Sequence, residues 1–346
     1  MQVRCILVLV LALATSGCDK VKEIAGPPGP AEPTQESRMR ALQAPVEVPK
    51  GPPPPTMEEV VAAFEATPPE KRADVQLAKL SEFPTALAKF RELDLSYSPV
   101  TDSGGKRLAE FKNLQSLVLP GTRVTDQTIV AISTLPRLEQ LDISGTQISD
   151  GAIQSLVLLK NLRELRMDGT NITDSGFARL GDLPLLEAVS ASGCRGISGQ
   201  QFTAAILQGA YPRIRVLNVA RTRFGIAGLT RIGMLEGLQH LNVTECGVTD
   251  EGLKGIGTCK ELMILEAGQN NFGPVGCAGL AVNRNLRELV IDSNQSVKDE
   301  CFNSLKNLRD LEKLNVSRTS VTEDAARLLK SKFLPKVTIQ YNNKIL

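Results

Sequence analysis

His240 is the only histidine of the chain, so any imidazole chemistry would have to run through it. A nucleophilic relay needs a hydroxyl or thiol within hydrogen-bond reach of that ring and a carboxylate to fix its tautomer. Thr244 lies close by but has no evident orienting acid, while Ser190 and Ser192 stand far upstream. A zinc site needs clustered Cys and His ligands. Cys194, Cys246, Cys259, Cys277 and Cys301 form no such cluster, and their odd number raises the question of an unpaired thiol. Phosphate-cradling glycine loops are absent too. Gly145, Gly169 and Gly193 recur singly, where a positive φ or tight packing is the simpler explanation. The simple reading of His240 is a surface or ligand-contacting side chain. No catalytic, cofactor or metal site is expected. The formal net charge is +2 and aromatics make up 4% with no Trp, so neither a field for phosphates nor a stacking platform is present. No nucleic-acid partner is expected.

What the chain does have is periodicity. Ten segments follow Leu-x-x-Leu-x-Leu-x-x-(Thr/Cys/Asn)-x-x-(Val/Ile/Phe), returning almost always every 24 residues. Their anchors are Leu93, Leu117, Leu141, Leu165, Val189, Leu217, Leu241, Leu265, Leu289 and Leu314, and Val337 opens a closing strand. In the unit from Leu141 to Asn161, Leu141 and Ile143 alternate with Asp142, the period of a half-buried strand. Thr146 shares its place with Ser98, Thr122, Thr170, Cys194, Thr222, Cys246, Asn270, Asn294 and Thr319. These side chains are expected to satisfy buried carbonyls of the neighbouring coil, because orphaned backbone groups are costly. Ser149-Asp150, like Thr101-Asp102, Thr125-Asp126, Thr173-Asp174 and Thr249-Asp250, suits a helix N-cap, with the carboxylate where the helix dipole favours it. Leu156, Leu159 and Leu162 predict the apolar stripe of a short outer helix. One unit cannot bury its apolar edge; only stacking does that.

This period and spacing resemble the leucine-rich repeat family over roughly Phe90 to Tyr341. The Thr/Cys position and the Val-Thr-Asp-x-Gly step (Val100 to Gly104, Val248 to Gly252) are similar to the cysteine-containing subclass known from F-box substrate receptors and bacterial leucine-rich repeat lipoproteins. Thr dominates here, and the units are slightly shorter. No F-box-like helical module precedes the repeats, so no ubiquitin-ligase role is carried over. The resemblance implies an α/β solenoid: a curved parallel β-sheet on the concave side, short helices on the convex side, and an N-terminal helical cap. Cys194 and Cys246 would then lie two coils apart, roughly 10 Å at ~4.8 Å per strand and beyond disulfide reach. Ser190 and Ser192 would be equally far from His240. Cys277 takes the helix-core place of Leu253, and Cys301 that of Gly276. All five cysteines are read as reduced, buried packing residues.

Upstream of the repeats, the sequence MQVRCILVLVLALATSGC carries a lone Arg4, an apolar run from Cys5 to Ala14, then small residues. This reads as a secretory signal over residues 1–17, too short to span a bilayer. Ser16-Gly17-Cys18 resembles the end of a bacterial lipobox, with Thr15 where Leu is usual, and implies a lipid on Cys18. Ordinary cleavage with a free Cys18 is the alternative. The expected place is the bacterial envelope, anchored to the cell membrane or outer membrane and facing the periplasm or the surface. Residues 18–55, with Pro27, Pro28, Pro30, Pro33, Pro45, Pro49 and the run Pro52 to Pro55, read as a disordered, partly polyproline II tether. Thr56-Met57-Glu58-Glu59 reads as a capping box, and a second helix is predicted over Glu70 to Phe83. Residues 56–89 are read as the helical cap that shields the repeat domain, 90–346, with a separate helical interaction module as the alternative.

If leucines are used up between coils, recognition belongs on the concave sheet, where the residues flanking each anchor point outward. These columns hold Glu92, Asp94, Asp142, Glu164, Asp168, Glu266, Glu288 and Asp292 against Arg166 and Lys313, eight acids to two bases. A neutral or basic polypeptide fits such a face better than an anionic polymer. The step from Val189 to Leu217 is 28 residues and adds Gly209-Ala210-Tyr211-Pro212, with Arg195, Arg213, Arg215, Arg221 and Arg223 around it. Insertions often map to a binding face, although a drifting convex loop explains this one as well. The nearby inner strands are small (Ala188, Ser190, Ser192, Ala220). A partner is expected across Arg166, Asn218, His240, Asn242 and Glu266, with Arg221 and Arg223 on the rim. The function expected is a non-catalytic, monomeric scaffold that binds a protein, touching the membrane only through its lipid. A structural envelope spacer without a specific ligand is the second reading, and an enzyme the last.

Overall fold

Each anchor residue occupies the centre of a three-residue strand, buried while its two neighbours are open. The strands are β1 (Glu92–Asp94), β2 (Ser116–Val118), β3 (Gln140–Asp142), β4 (Glu164–Arg166), β5 (Ala188–Ser190), β6 (Val216–Asn218), β7 (His240–Asn242), β8 (Ile264–Glu266), β9 (Glu288–Val290) and β10 (Lys313–Asn315). They pair in parallel and in chain order, anchor against anchor: Leu93 with Leu117, Leu165 with Val189, Leu289 with Leu314. The closing strand β11 is Thr338–Tyr341, and its residue in anchor register is Ile339, opposite Leu314. Val337 therefore precedes the strand. A short antiparallel strand, β12 (Lys344–Ile345), turns back on β11 and was not legible as a repeat. This computed structural model describes residues 54–346. The expected signal segment, the lipidation position Cys18 and nearly all of the tether lie outside them. Pro55–Leu346 form one compact unit.

On the convex side the helices are only four to seven residues long, as in Asp102–Leu108, Ile153–Leu156 and Asp250–Ile256. Leu159 and Leu162, expected on a helix, fall beyond it in the segment descending to the next strand, yet both are buried. One coil must cross, rise, turn and return in 24 residues, which leaves little length for helix. Stacking the coils buries a continuous core from Val60 to Ile339.

The N-terminal cap follows its sequence signals at the start and departs from them later. Thr56 N–H donates to Glu59 Oε2 (2.8 Å) and Glu59 N–H to Thr56 Oγ1 (3.3 Å), opening helix Met57–Ala66. The single helix predicted over Glu70 to Phe83 is instead a 3₁₀ turn Pro69–Lys71 and a helix Asp74–Ser81, followed by a turn of helix Pro84–Leu87. Pro84 pushes Phe83 out of helical geometry (φ −122°). Leu77 and Leu80 cover the first coil, and Arg72 Nη1 donates to the Asp94 carbonyl of β1 (2.7 Å).

Two side-chain ladders hold the coils in register. In the first, each threonine bonds its own coil: Thr122, Thr146, Thr170 and Thr222 donate to the carbonyls of Leu119, Ile143, Met167 and Val219. Only the longer-reaching or larger members bond the preceding coil. Cys194 Sγ donates to Met167 O (3.2 Å), Cys246 Sγ to Val219 O (2.9 Å) and Asn270 Nδ2 to Val243 O (2.9 Å). The second ladder is made of the aspartates that follow the N-caps. Asp102 accepts from Thr125 N–H (2.9 Å) and Thr125 Oγ1 (2.7 Å) of the next coil, and Asp126 accepts likewise from Ser149. Asp74, Asp150, Asp174 and Asp299 repeat the grip on Thr101, Thr173, Ser198 and Thr322, and Asp250 takes the N–H groups of Gly273 and Gly276. These carboxylates clamp coil to coil, beyond their placement near a helix N-terminus.

The insertion at Gly209–Pro212 does not reach the concave face. It lies between helix Gln200–Ile206 and β6 and drives Tyr211 into the core, 2% exposed. There Tyr211 packs on Phe202 (ring centroids 5.2 Å) and Phe177 (5.9 Å), and its hydroxyl donates to the Phe177 carbonyl. The inserted residues thus fill volume on the convex side.

Candidate recognition face

Along the concave face, the residue after five of the ten anchors serves a local purpose first. Asp94, Asp142, Asn218, Asn242 and Asn315 each fold a side-chain oxygen onto the N–H two residues on, at 2.8, 2.9, 3.1, 3.0 and 3.0 Å. This Asx turn redirects the chain out of the strand. Part of the acidity read from sequence is therefore structural. Glu288 pairs with Lys313 (2.9 Å) and holds that ammonium above its usual lysine range.

Over β4 to β8, two hydrogen-bonded clusters lie side by side in one polar row. Asp168 Oδ1 accepts from Ser190 Oγ (2.5 Å) and from Ser192 N–H (2.7 Å), and Asn218 Nδ2 donates to Ser190 Oγ (2.9 Å). Farther along, Glu266 takes His240 Nε2 on one oxygen (2.8 Å) and Asn242 Nδ2 on the other (2.9 Å). The row borders a depression of about 270 Å³ whose floor is the small, half-buried Ala188 and Val216. Arg166, Asn218, His240, Asn242 and Glu266, expected from sequence to share a site, all line it, together with Glu164, Asp168 and Ser190. Those last three were not singled out as contacts, although the column spacing places them beside the others.

Arg221 and Arg223 do not line the depression. Arg221 sits past the end of β6 with φ +57°, exposed, its Nε 3.8 Å from Glu245 Oε2. It belongs to a column of left-handed turn residues that includes Gly145, Gly169 and Gly193 as well as Tyr97, Glu245 and Gln269. Glycine suits this turn without being demanded by it. The arginines around the insertion split between two edges of the sheet. Arg213 and Arg215 precede β6, whereas Arg221 and Arg223 follow it.

His240 faces Glu266 and Asn242, and no Ser, Thr or Cys side chain bonds its ring among the described residues. Among those residues no group of three or more His, Cys, Asp or Glu side chains is placed to hold a metal ion. The five thiols are buried. Burial pushes Cys194 and Cys246 up despite hydrogen bonds with the preceding coil, and Cys259 up to about 12. The Cys277 thiol, hydrogen-bonded to Cys301 and desolvated, is raised as well.

The Leucine Rich repeat family model matches residues 86–109 and 238–257. No curated protein matches the chain in sequence. Among solved structures, an internalin of Listeria monocytogenes is similar with a TM-score of 0.51 at 16% identity, over 78% of this chain and 88% of that one. A leucine-rich repeat protein of Leptospira interrogans gives a TM-score of 0.42 at 15% identity, over 75% and 80%. A plant peptide hormone receptor solved in complex with RGF2 gives 0.49 at 16% identity, over 76% of this chain and 49% of the receptor. At such identities the likeness concerns the fold alone. With anchors in register from Leu93 to Ile339 and the family model matching at the Leu93 coil and again at the Leu241 coil, the chain is a leucine-rich repeat protein.

Proposed function

We propose that this chain is a non-catalytic scaffold that holds an extended polypeptide across the concave face, over β4 to β8. Leucine-rich repeat proteins act in general as protein-binding scaffolds. The observation that carries the finer reading is the polar row from Asp168 to Glu266, ordered by the hydrogen bonds within its two clusters beside the Ala188–Val216 hollow. A row already held in place loses little side-chain entropy on binding. The row spans four strand spacings, ~19 Å, which matches roughly six residues of extended chain. The same reading takes the protein as an exported monomer anchored through a lipid on Cys18, supported by the apolar run from Cys5 to Ala14 and by Ser16-Gly17-Cys18.

A pulldown from envelope extract, with the wild-type chain and with Asn218→Arg as parallel baits, tests the scaffold. A partner retained by the first and lost by the second supports it. Equal partner lists from both baits would favour the spacer reading, which tolerates changes on the concave face. For the anchor, alkyne fatty-acid labelling should mark the wild type and fail in Cys18→Ser.

A further inference from the structure

We propose that the partner segment places one side-chain carboxylate, Asp or Glu, on Arg166, within an otherwise neutral-to-basic stretch. This rests on the concave-face reading above and specifies its ligand. Arg166 occupies a column in which Asp94, Asp142, Asn218, Asn242 and Asn315 cap the strand-end turn, a task its side chain cannot perform. Its coil makes up the loss by another route: Asp168 N–H donates to Ser144 Oγ of the preceding coil (3.2 Å). The arginine thus forgoes the local contact that Asp142 makes on the preceding strand, and its long charged side chain is left without an intramolecular task among the described residues.

The other bases of the face are engaged, Lys313 with Glu288 and His240 with Glu266. Arg166 has neither an acidic partner within 4.0 Å nor a hydrogen bond among the described residues, although Asp142 faces it in register on β3. Its exposed guanidinium borders both the 270 Å³ depression and a second one of about 260 Å³ over β2 to β4. A planar fork with five donors selects a carboxylate in two-pronged geometry. The surrounding acids repel additional negative charge, so one carboxylate is accepted and the flanking residues are neutral or basic. A small aliphatic side chain of the same segment fits over Ala188 and Val216.

The test is selection of a phage-displayed random dodecapeptide library on the full chain in detergent, with peptides fused through their C-termini so that only side-chain carboxylates are offered. Selection on wild type should enrich peptides with Asp or Glu at one recurring place. A selected peptide should lose about tenfold or more in affinity for Arg166→Glu, the size of one charge-assisted contact. Arg166→Lys, which keeps the charge but loses the fork, should fall between wild type and Arg166→Glu, and exchanging the peptide's acid for Lys should restore binding to Arg166→Glu. Enriched peptides without a recurring acid, or with equal affinity for wild type and Arg166→Glu, overturn the proposal while leaving a concave ligand site standing. Enrichment that is unchanged on Asn218→Arg overturns the concave-face reading itself. Matching circular dichroism melts show that the variants are folded.

Discussion

Replacing Asp102 should separate two neighbouring coils while leaving each coil's own strand intact. Its carboxylate accepts three hydrogen bonds from the next coil: Thr125 N–H at 2.9 Å, Thr125 Oγ1 at 2.7 Å and Thr128 Oγ1 at 2.6 Å. Bonds to an ionised acceptor contribute about 1.5–3 kcal/mol each, and in this half-exposed group water recovers a large share of that sum. The expected cost is about 3 kcal/mol for Asp102→Ala and about 1 kcal/mol for Asp102→Asn, which keeps the shape and a carbonyl oxygen for the Thr125 amide. Burial pushes the Asp102 carboxyl up, but the bonds from Thr128 and Thr125 together hold it below the ordinary carboxylate value. A lowered folded value means that the contribution is present above the unfolded value, near ~3.9, and disappears as pH falls through the folded one. Urea unfolding followed by circular dichroism should therefore show the full gap between wild type and Asp102→Ala at neutral pH and a shrinking gap below about pH 4. Hydrogen exchange should accelerate in β1 and β2 in the variant. A gap under about 0.5 kcal/mol at neutral pH, or one that does not change on acidification, would refute the clamp.

Other perturbations probe different parts of the fold. Asn283 is buried in the column of Leu235 and Leu308, with its Oδ1 unpartnered among the described residues and its Nδ2 on Cys259 O (2.7 Å) and, more weakly, Ile256 O (3.5 Å). Asn283→Leu should be close to neutral, within about 1 kcal/mol in urea titration, because removing the orphaned oxygen is offset by leaving the Cys259 carbonyl without its donor; a loss of about 3 kcal/mol or more would contradict this. Tyr211→Ala should cost about 4 kcal/mol by thermal unfolding, as loss of a core aromatic does, whereas a drifting surface loop predicts almost no change. Cys194, Cys246, Cys259, Cys277 and Cys301 should resist a thiol reagent in the native chain and all react once it is unfolded. Rapid labelling of any one in the folded state would place it at the surface.

The sequence displayed what repeats, and the structure supplied how far each side chain reaches. Anchor register, the capping box at Thr56 and Glu59, and the residues lining the depression follow from spacing alone, since a period of 24 puts equivalent positions side by side. Asp94 and Asp142 looked like free surface charge because their partner, an amide two residues on, is invisible in residue types. The grip of Asp102 on Thr125 was hidden for a similar reason: a carboxylate at a helix start already has a sufficient explanation. The insertion misled in the other direction. Arginines adjacent in sequence to Gly209–Pro212 suggested a binding edge, while the one large apolar residue among the four, Tyr211, was the residue that fixed its place.

The aspartate clamps are not continuous. They join the cap to the first coil and each coil onward as far as Ser198, resume at Asp250, and grip Thr322 from Asp299. Gly199, Ile226 and Pro274 stand where an aspartate would continue the chain of clamps. Two of those three seams underlie the hollow around Ala188 and Val216. Pulled end to end, the spring formed by these coils should give first in its middle turns. A peptide strapped across the hollow would then act as a splint, so that an occupied molecule should withstand a stretching force that parts an empty one.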